Sequence, residues 1–251
     1  MGKKAALKGK DTNKKLTPAQ EKKAARKAEI AAAKAQTELV KGASSFVPTA
    51  DPRFATLSLG DGEELEMSHF AGEESVPLET LCGLLEDEEL PAGFKGQVDG
   101  LQFVVARKKA GEAVQGFVAY GFGFQEEVPV LTVAWVGVGK EVRRKGLGTF
   151  LLEAMEATAT ACGMKGVVCS PPSSYPSTHP ALTFLHKAGY ATDPIQPQGK
   201  ATVAYVSKYH DEEAVTLLTK RAEALRKGEA KKTKLSSREF AEAHYAAGQF
   251  G

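Results

Sequence analysis

The sequence predicts an α+β domain built on a mixed, mostly antiparallel sheet flanked by helices. Three observations predict it. Residues 133–164 read as a buried strand, a glycine turn and an amphipathic helix. Four strand-like runs lead up to that helix, and helix, strand, helix and strand patterns follow it, an order with one short parallel region. The composition, 42% hydrophobic and 25% charged over 251 residues, is that of a globular chain. This length allows one ordinary domain with extensions, or two small ones.

Residues 1–45 form a separate kind of tract, with 12 Lys or Arg against 4 acidic residues and no aromatic. Thr17 and Pro18 suit the cap and first position of a helix running to about Leu39. Its apolar side chains make no wide stripe. The tract reads as a solvated, partly helical tail, as an arm on RNA, a ribosome or an acidic protein, or as a mitochondrial transit peptide.

Residues 46–60 lead into the domain, with a short alternating strand at 54–59. From 61 to 99 there are 12 acidic residues and one cation, Lys95. A helix is expected from Ser75, with Leu78, Leu81, Leu84 and Leu85 as its apolar stripe. Residues 101–107 and 115–124 read as an antiparallel pair around a turn at 108–112. Gln125 to Pro129 then turns into the strand ending at Val138.

That strand runs apolar or small without strict alternation, as expected of one covered on both faces. From Leu147, apolar residues at 147, 150, 151, 154, 155 and 158 or 159 keep a helical period, and Gly163 suits the residue past its end. Between strand and helix lie Arg143, Arg144, Lys145, Gly146, Leu147 and Gly148. First-turn amides without intrahelical partners, a helix dipole and two residues without side chains make a turn suited to phosphate. The glycine spacing does not fit a dinucleotide fingerprint, and no G-K-[S/T] follows for a nucleotide-triphosphate loop.

The run V-G-V-G-K-E-V-R-R-K-G-L-G-T-F-L resembles the acyl-CoA-binding turn of the GNAT superfamily of N-acetyltransferases. That family carries R/Q-x-x-G-x-G/A at a strand-to-helix junction, with a hydrophobic residue five before it, here Val138. A-L-T-F-L-H-K-A-G-Y at 181–190 resembles the family's next helix and its closing K-x-G-F/Y. Residues 166–169 fit the strand that splays from the first, and 201–208 the last strand. The resemblance covers about 57–209 and is strongest over 131–190.

It implies the GNAT fold and acetyl-CoA, or another acyl-CoA, as cofactor. The amides around Arg144, Lys145, Gly146, Leu147, Gly148 and Thr149 would take the diphosphate, with Arg143 and Arg144 adding charge. Val138 would pair with the pantetheine arm, and the Val136 N–H would face the acetyl oxygen. Two departures stand out: Leu185 occupies the family's usual Tyr acid position, and Thr132 a common Glu base position. Tyr175 or His179, in the loop after the splayed strand, can replace the acid, and Glu126 or Glu127 the base through a water. Trp135 beside Gly137 reads as a packed core residue or as the mark of a bulge.

The implied acceptor is an amine. An acidic wall favours a cationic one, whereas the lack of a base favours an α-amine that is already neutral near pH 7. The alternative is a GNAT-fold structural or scaffolding component of a larger, possibly ribonucleoprotein, assembly. Cys82, Cys162 and Cys169 show no metal-ligand spacing and are odd in number, as expected of thiols in a reducing compartment. That compartment reads as cytoplasmic, mitochondrial or nuclear. No metal site and no membrane span are expected. After 209, residues 211–227 read as a helix with Val215, Leu217, Leu218, Ala222 and Leu225 on its apolar face. Ser236 to Glu239 read as the capping box of a last short helix. The expected division is thus a basic tail at 1–45, the acetyltransferase domain at 46–209 and a helical extension at 210–251.

Overall fold

The structure, a computed structural model, describes residues 17–71, 78–84, 100–109, 113–171, 178–196 and 205–226. It divides into two units, residues 1–38 and 39–251. The described part of the first is most of helix α1, Pro18–Ser44. Thr17 and Gln20 cap it reciprocally: the Gln20 Oε1 accepts from the Thr17 amide at 2.9 Å, and the Thr17 Oγ1 accepts from the Gln20 amide at 3.4 Å. Residues 17–32 are exposed throughout, so strong helix formers such as Ala, Lys and Glu sustain this part. The helix outruns its expected end at Leu39 because Val40 and Ala43 are buried in the core of the second unit.

In the second unit, the described residues form one eight-stranded sheet. In chain order the strands are β1 (Thr56–Ser58), β2 (Glu64–Ala71), β3 (Gln102–Lys108), β4 (Val114–Gln125), β5 (Val128–Val138), β6 (Gly166–Cys169), β7 (Ala191–Thr192) and β8 (Val206–Tyr209). Their spatial order is β1-β2-β3-β4-β5-β6-β8-β7, and every neighbouring pair is antiparallel except β5 with β6. The other helices are α2 (Leu78–Gly83), α3 (Leu147–Ala161), α4 (Pro180–Lys187) and α5 (Glu212–Arg226). This is an α+β architecture, a mixed and mostly antiparallel sheet flanked by helices, as the sequence predicts.

Alternation along the strands sorts side chains onto two faces. Val118, Tyr120, Leu131 and Val133 face the main core with Leu151, Leu152 and Met155 of α3 and Leu182 and Leu185 of α4. On the other face, Phe103, Phe117 and Ala119 pack with Leu81 of α2. Further along that face, Val128, Val130 and Val168 pack with Ala214 and Leu218 of α5.

The sequence reading missed β2, whose Leu65 and Met67 are buried between exposed Glu64 and Glu66. It also missed the two residues of β7. The start expected at Ser75 for α2, Leu85, the cap at 236–239 and the last short helix lie outside the described residues. α3 ends as expected, with Gly163 at φ 71°.

β6 and β8 approach closely at Gly166, where an added Cβ would lie 2.5 Å from Tyr209 Cδ1 and 2.9 Å from the Lys208 carbonyl oxygen. Gly166→Ala is expected to lower unfolding stability by about 1–3 kcal/mol through overpacking, as measured by urea denaturation; an unchanged midpoint would refute the close approach.

Candidate active site

The turn after β5 is built by two buried anchors. Val142 closes a short 3-10 turn at Lys140–Val142, and Leu147 opens α3; both are 1% exposed. Residues 143–146 between them stay exposed. Arg144 and Gly146 take left-handed backbone, with φ of 64° and 97°, so the chain reverses tightly enough to start the helix. The first bond of this helix's ladder runs from the Phe150 amide to the Gly146 carbonyl at 3.0 Å. The Leu147, Gly148 and Thr149 amides therefore have no intrahelical acceptor, and Gly146 provides no capping side chain. The dipole adds roughly half a positive charge there. At Gly148 an added Cβ would lie 3.2 Å from Phe184 Cζ and 3.7 Å from Val138 Cγ2. Its missing side chain thus lets the first helical turn close against β5 and α4.

Beside this turn, β5 loses one of its neighbours. Its parallel register with β6 is Leu131–Val167, Thr132–Val168 and Val133–Cys169. One further bond, from the Ser170 amide to the Val133 carbonyl at 3.2 Å, ends the contact. β5 continues to Val138 paired only with β4 among the described residues. Gly139 donates to the Gln115 carbonyl at 2.7 Å. Antiparallel pairs alternate in bonding, so Gly137 also faces β4, and Val136 and Val138 turn their N–H and C=O groups toward the space β6 has left.

A bulge sets this alternation. Ala119 pairs with Trp135 and Tyr120 with Val133, leaving Ala134 as the extra residue. Ala134 and Trp135 consequently both pack on the α2 face, while Val136 and Val138 pack on the α3 face. Trp135 therefore answers to both sequence readings, as a half-buried packing residue and a neighbour of a bulge.

The cations of the turn are engaged in different ways. The Arg143 Nε donates to the Val138 carbonyl at 2.9 Å, tying the turn back to the open strand edge. The Lys145 Nζ lies 2.5 Å from Asp61 Oδ2, in the β1–β2 turn. Arg144 is exposed. Sequence reasoning found these residues but neither bond, since both partners are set by tertiary structure.

Leu185 is buried in the main core, and Thr132 is a half-buried member of β5. His179 caps α4: its Nδ1 accepts from the Ala181 amide at 3.2 Å. Tyr175 lies outside the described residues. Glu127 must be corrected. It sits in the β4–β5 turn at the opposite end of β5, roughly 25–30 Å from Val136 by strand rise, and its neighbour Glu126 pairs with Arg221 at 3.1 Å. It enters the same strand, but at the wrong end. Cys169, the last residue of β6, is a buried thiol whose pKa is raised by burial, which holds it protonated. Among the described residues no three His, Cys, Asp or Glu gather as metal ligands, and no helix is long and apolar enough to cross a membrane.

Among the described residues, an uncapped, glycine-bounded helix start thus lies beside a parted strand edge, and both offer backbone donors. Residues 99–192 match the family described as the acetyltransferase (GNAT) domain, whose members carry out acetyl-CoA-dependent acetylation. Among similar solved structures is a GNAT-family acetyltransferase from Desulfovibrio desulfuricans, 14% identical, covering 58% of this chain and 98% of that one at a TM-score of 0.44. Another, from Staphylococcus aureus Mu50, is 13% identical, covering 58% and 99% at 0.45. An aminoglycoside acetyltransferase from an uncultured soil metagenomic sample is 16% identical, covering 56% and 92% at 0.40. Comparison with curated proteins returns no match.

The capping role of His179 is testable. His179→Ala is expected to cost about 1 kcal/mol of stability, and His179→Asn to restore most of it. Turnover that recovers with Asn would mark a positioning residue; turnover lost in both variants would mark a proton donor.

Proposed function

We propose that this domain transfers an acetyl group from acetyl-CoA to an amine, with the diphosphate seated on the amides of Arg144, Gly146, Leu147, Gly148 and Thr149, the Lys145 amide expected in the same set being already bonded to the Val142 carbonyl at 3.3 Å. The observation that carries the reading is the pairing of an uncapped helix N-terminus with a strand edge whose neighbour has departed. Both offer backbone donors, which fits an anionic head and an extended amide-bearing arm, and at the far end of the edge the Val138 carbonyl already accepts from the Arg143 Nε. Acetyl-CoA supplies an activated acyl thioester. The chain supplies the Val136 N–H, aimed into the open edge, as donor to the carbonyl oxygen that gains charge during attack. One such donor is worth about 2.7–4 kcal/mol.

The acceptor must present a neutral amine. A lysine with a pKa of about 10.4 is deprotonated roughly one time in a thousand near pH 7.4, whereas an α-amine near 7.8 is deprotonated in substantial part. With Thr132 at the family's common base position and Glu127 far away, we assign an α-amine acceptor ahead of a lysine.

Two observations favour a second reading, that of a GNAT-fold scaffold: Leu185 is packed into the core, and Thr132 carries no base. Thiol release from acetyl-CoA across α-amine peptides, lysine peptides and small amines separates the two. Turnover on any of them supports the enzyme, and none on all would favour the scaffold.

At Gly146 an added Cβ meets open space, but φ is +97°. Gly146→Ala is therefore expected to cost about 1 kcal/mol of stability while leaving acetyl-CoA binding measurable. Gly146→Glu, which adds a carboxylate at the proposed seat, is expected to lose binding by calorimetry; retained affinity would place the cofactor elsewhere.

For the basic tract we propose contact with a phosphate-rich partner through the exposed cations of α1. Replacing Lys22, Lys23, Arg26 and Lys27 by Gln is expected to reduce salt-sensitive retention on RNA. Equal retention would leave α1 a solubilising element.

A further inference from the structure

We infer that the β1–β2 turn gates the phosphate turn, with the Asp61 carboxylate serving as an internal anion that an incoming diphosphate must displace from Lys145. This rests on the reading of the glycine turn as the cofactor's seat and adds a regulator to it.

The β1–β2 turn is closed by bonds from the Leu59 amide to the Glu63 carbonyl at 2.8 Å and from the Gly62 amide to the Leu59 carbonyl at 2.9 Å. It presents three carboxylates, each facing a lysine. Glu63 pairs with Lys108 at 2.9 Å and Glu64 with Lys109 at 2.6 Å, both at the end of the neighbouring β3. Asp61 reaches instead to Lys145, 84 residues further along the chain. Its two oxygens divide the work: Oδ1 accepts from the Glu63 amide at 3.3 Å, fixing the side chain on its own turn, and Oδ2 takes the ammonium.

The position of Lys145 explains why it holds such a partner. It lies one residue before the cap of α3, where the helix dipole is positive and Arg143 and Arg144 add like charge. A cation there is repelled by its surroundings until an anion arrives. Asp61 provides that anion within the chain. The lysine and aspartate side chains are 37% and 47% exposed, so water reaches both, and exchange of partners costs little. A diphosphate arriving at the helix start would meet the Asp61 charge first and would have to share or take over Lys145. The carboxylate therefore opposes binding, more strongly at low salt than at high salt.

Asp61→Asn tests this without dismantling the turn, because the Asn Oδ1 can still accept from the Glu63 amide. Calorimetry on the full chain would use acetyl-CoA and acetyl-pantetheine, which lacks the diphosphate. The variant is expected to bind acetyl-CoA about three- to fivefold more tightly in dilute buffer. The gain should shrink in about 0.5 M salt, and acetyl-pantetheine affinity should not change. Unchanged or weakened acetyl-CoA binding overturns the gate, as does an equal gain for acetyl-pantetheine. Gly146→Glu, measured alongside, separates the failures. If it abolishes binding while Asp61→Asn changes nothing, only the gate falls; if it leaves binding intact, the seat and the gate fall together.

Discussion

Three residue pairs join β5 to β6, and the site depends on their being so few. A strand edge inside a sheet ordinarily exchanges every N–H and C=O with a neighbour, and an unpaired buried backbone group is costly. Here β6 ends at Cys169 while β5 runs on to Val138. Among the described residues, no strand pairs with the edge from Ala134 onward on that side, and its far end is held by the Arg143 bond to the Val138 carbonyl. An open edge of this kind is a template for any extended chain that carries amides.

The bulge at Ala134 and the glycine turn act on the same geometry. Without the extra residue, parity along β5 would send Val136 and Val138 to the α2 face and bring Trp135 to the α3 face. The first turn of α3, which at Gly148 now closes against Val138, would then meet a different part of the strand. Gly116 shows how little room there is: an added Cβ would lie 2.8 Å from Leu147 Cδ2 and 2.9 Å from the Gly137 carbonyl oxygen. Leu147 packs against a position without a side chain on β4, and Gly148 against Phe184 and Val138. The helix can thus start directly over the strand, which brings its uncapped amides beside the open edge.

What was legible in the sequence was local. The strand, turn and helix at 133–164 declared themselves because period, glycines and anchors all lie within one contiguous stretch, and the β3–β4 pair followed from its turn. β2 went unseen because its alternation, Glu64-Leu65-Glu66-Met67, was submerged in an acidic tract read for charge. The buried Leu65 and Met67 were the available signal. Glu127 was misplaced for a geometric reason: adjacency to a strand says nothing about which of its ends holds the site. The Lys145–Asp61 and Arg143–Val138 bonds depend on how the hairpin and the strand end are brought to the turn, and no spacing rule encodes them.

A proposed site made mainly of backbone changes what the missing side chains mean. Leu185 and Thr132 remove two proton-transfer groups, a help usually worth about 10²–10⁴ in rate. They remove nothing from the amides that would hold charge, because those belong to the path of the chain. A thiol with a pKa near 8.5 departs as a reasonably stable anion at neutral pH, whereas an amine must shed its proton before attack. The burden therefore falls on the acceptor, which must arrive neutral or lose its proton to water along the open edge. An acceptor of low intrinsic pKa tolerates the loss of an enzyme base far better than a lysine does. The residue types at 132 and 185 thus bear on substrate choice as much as on whether the fold catalyses at all.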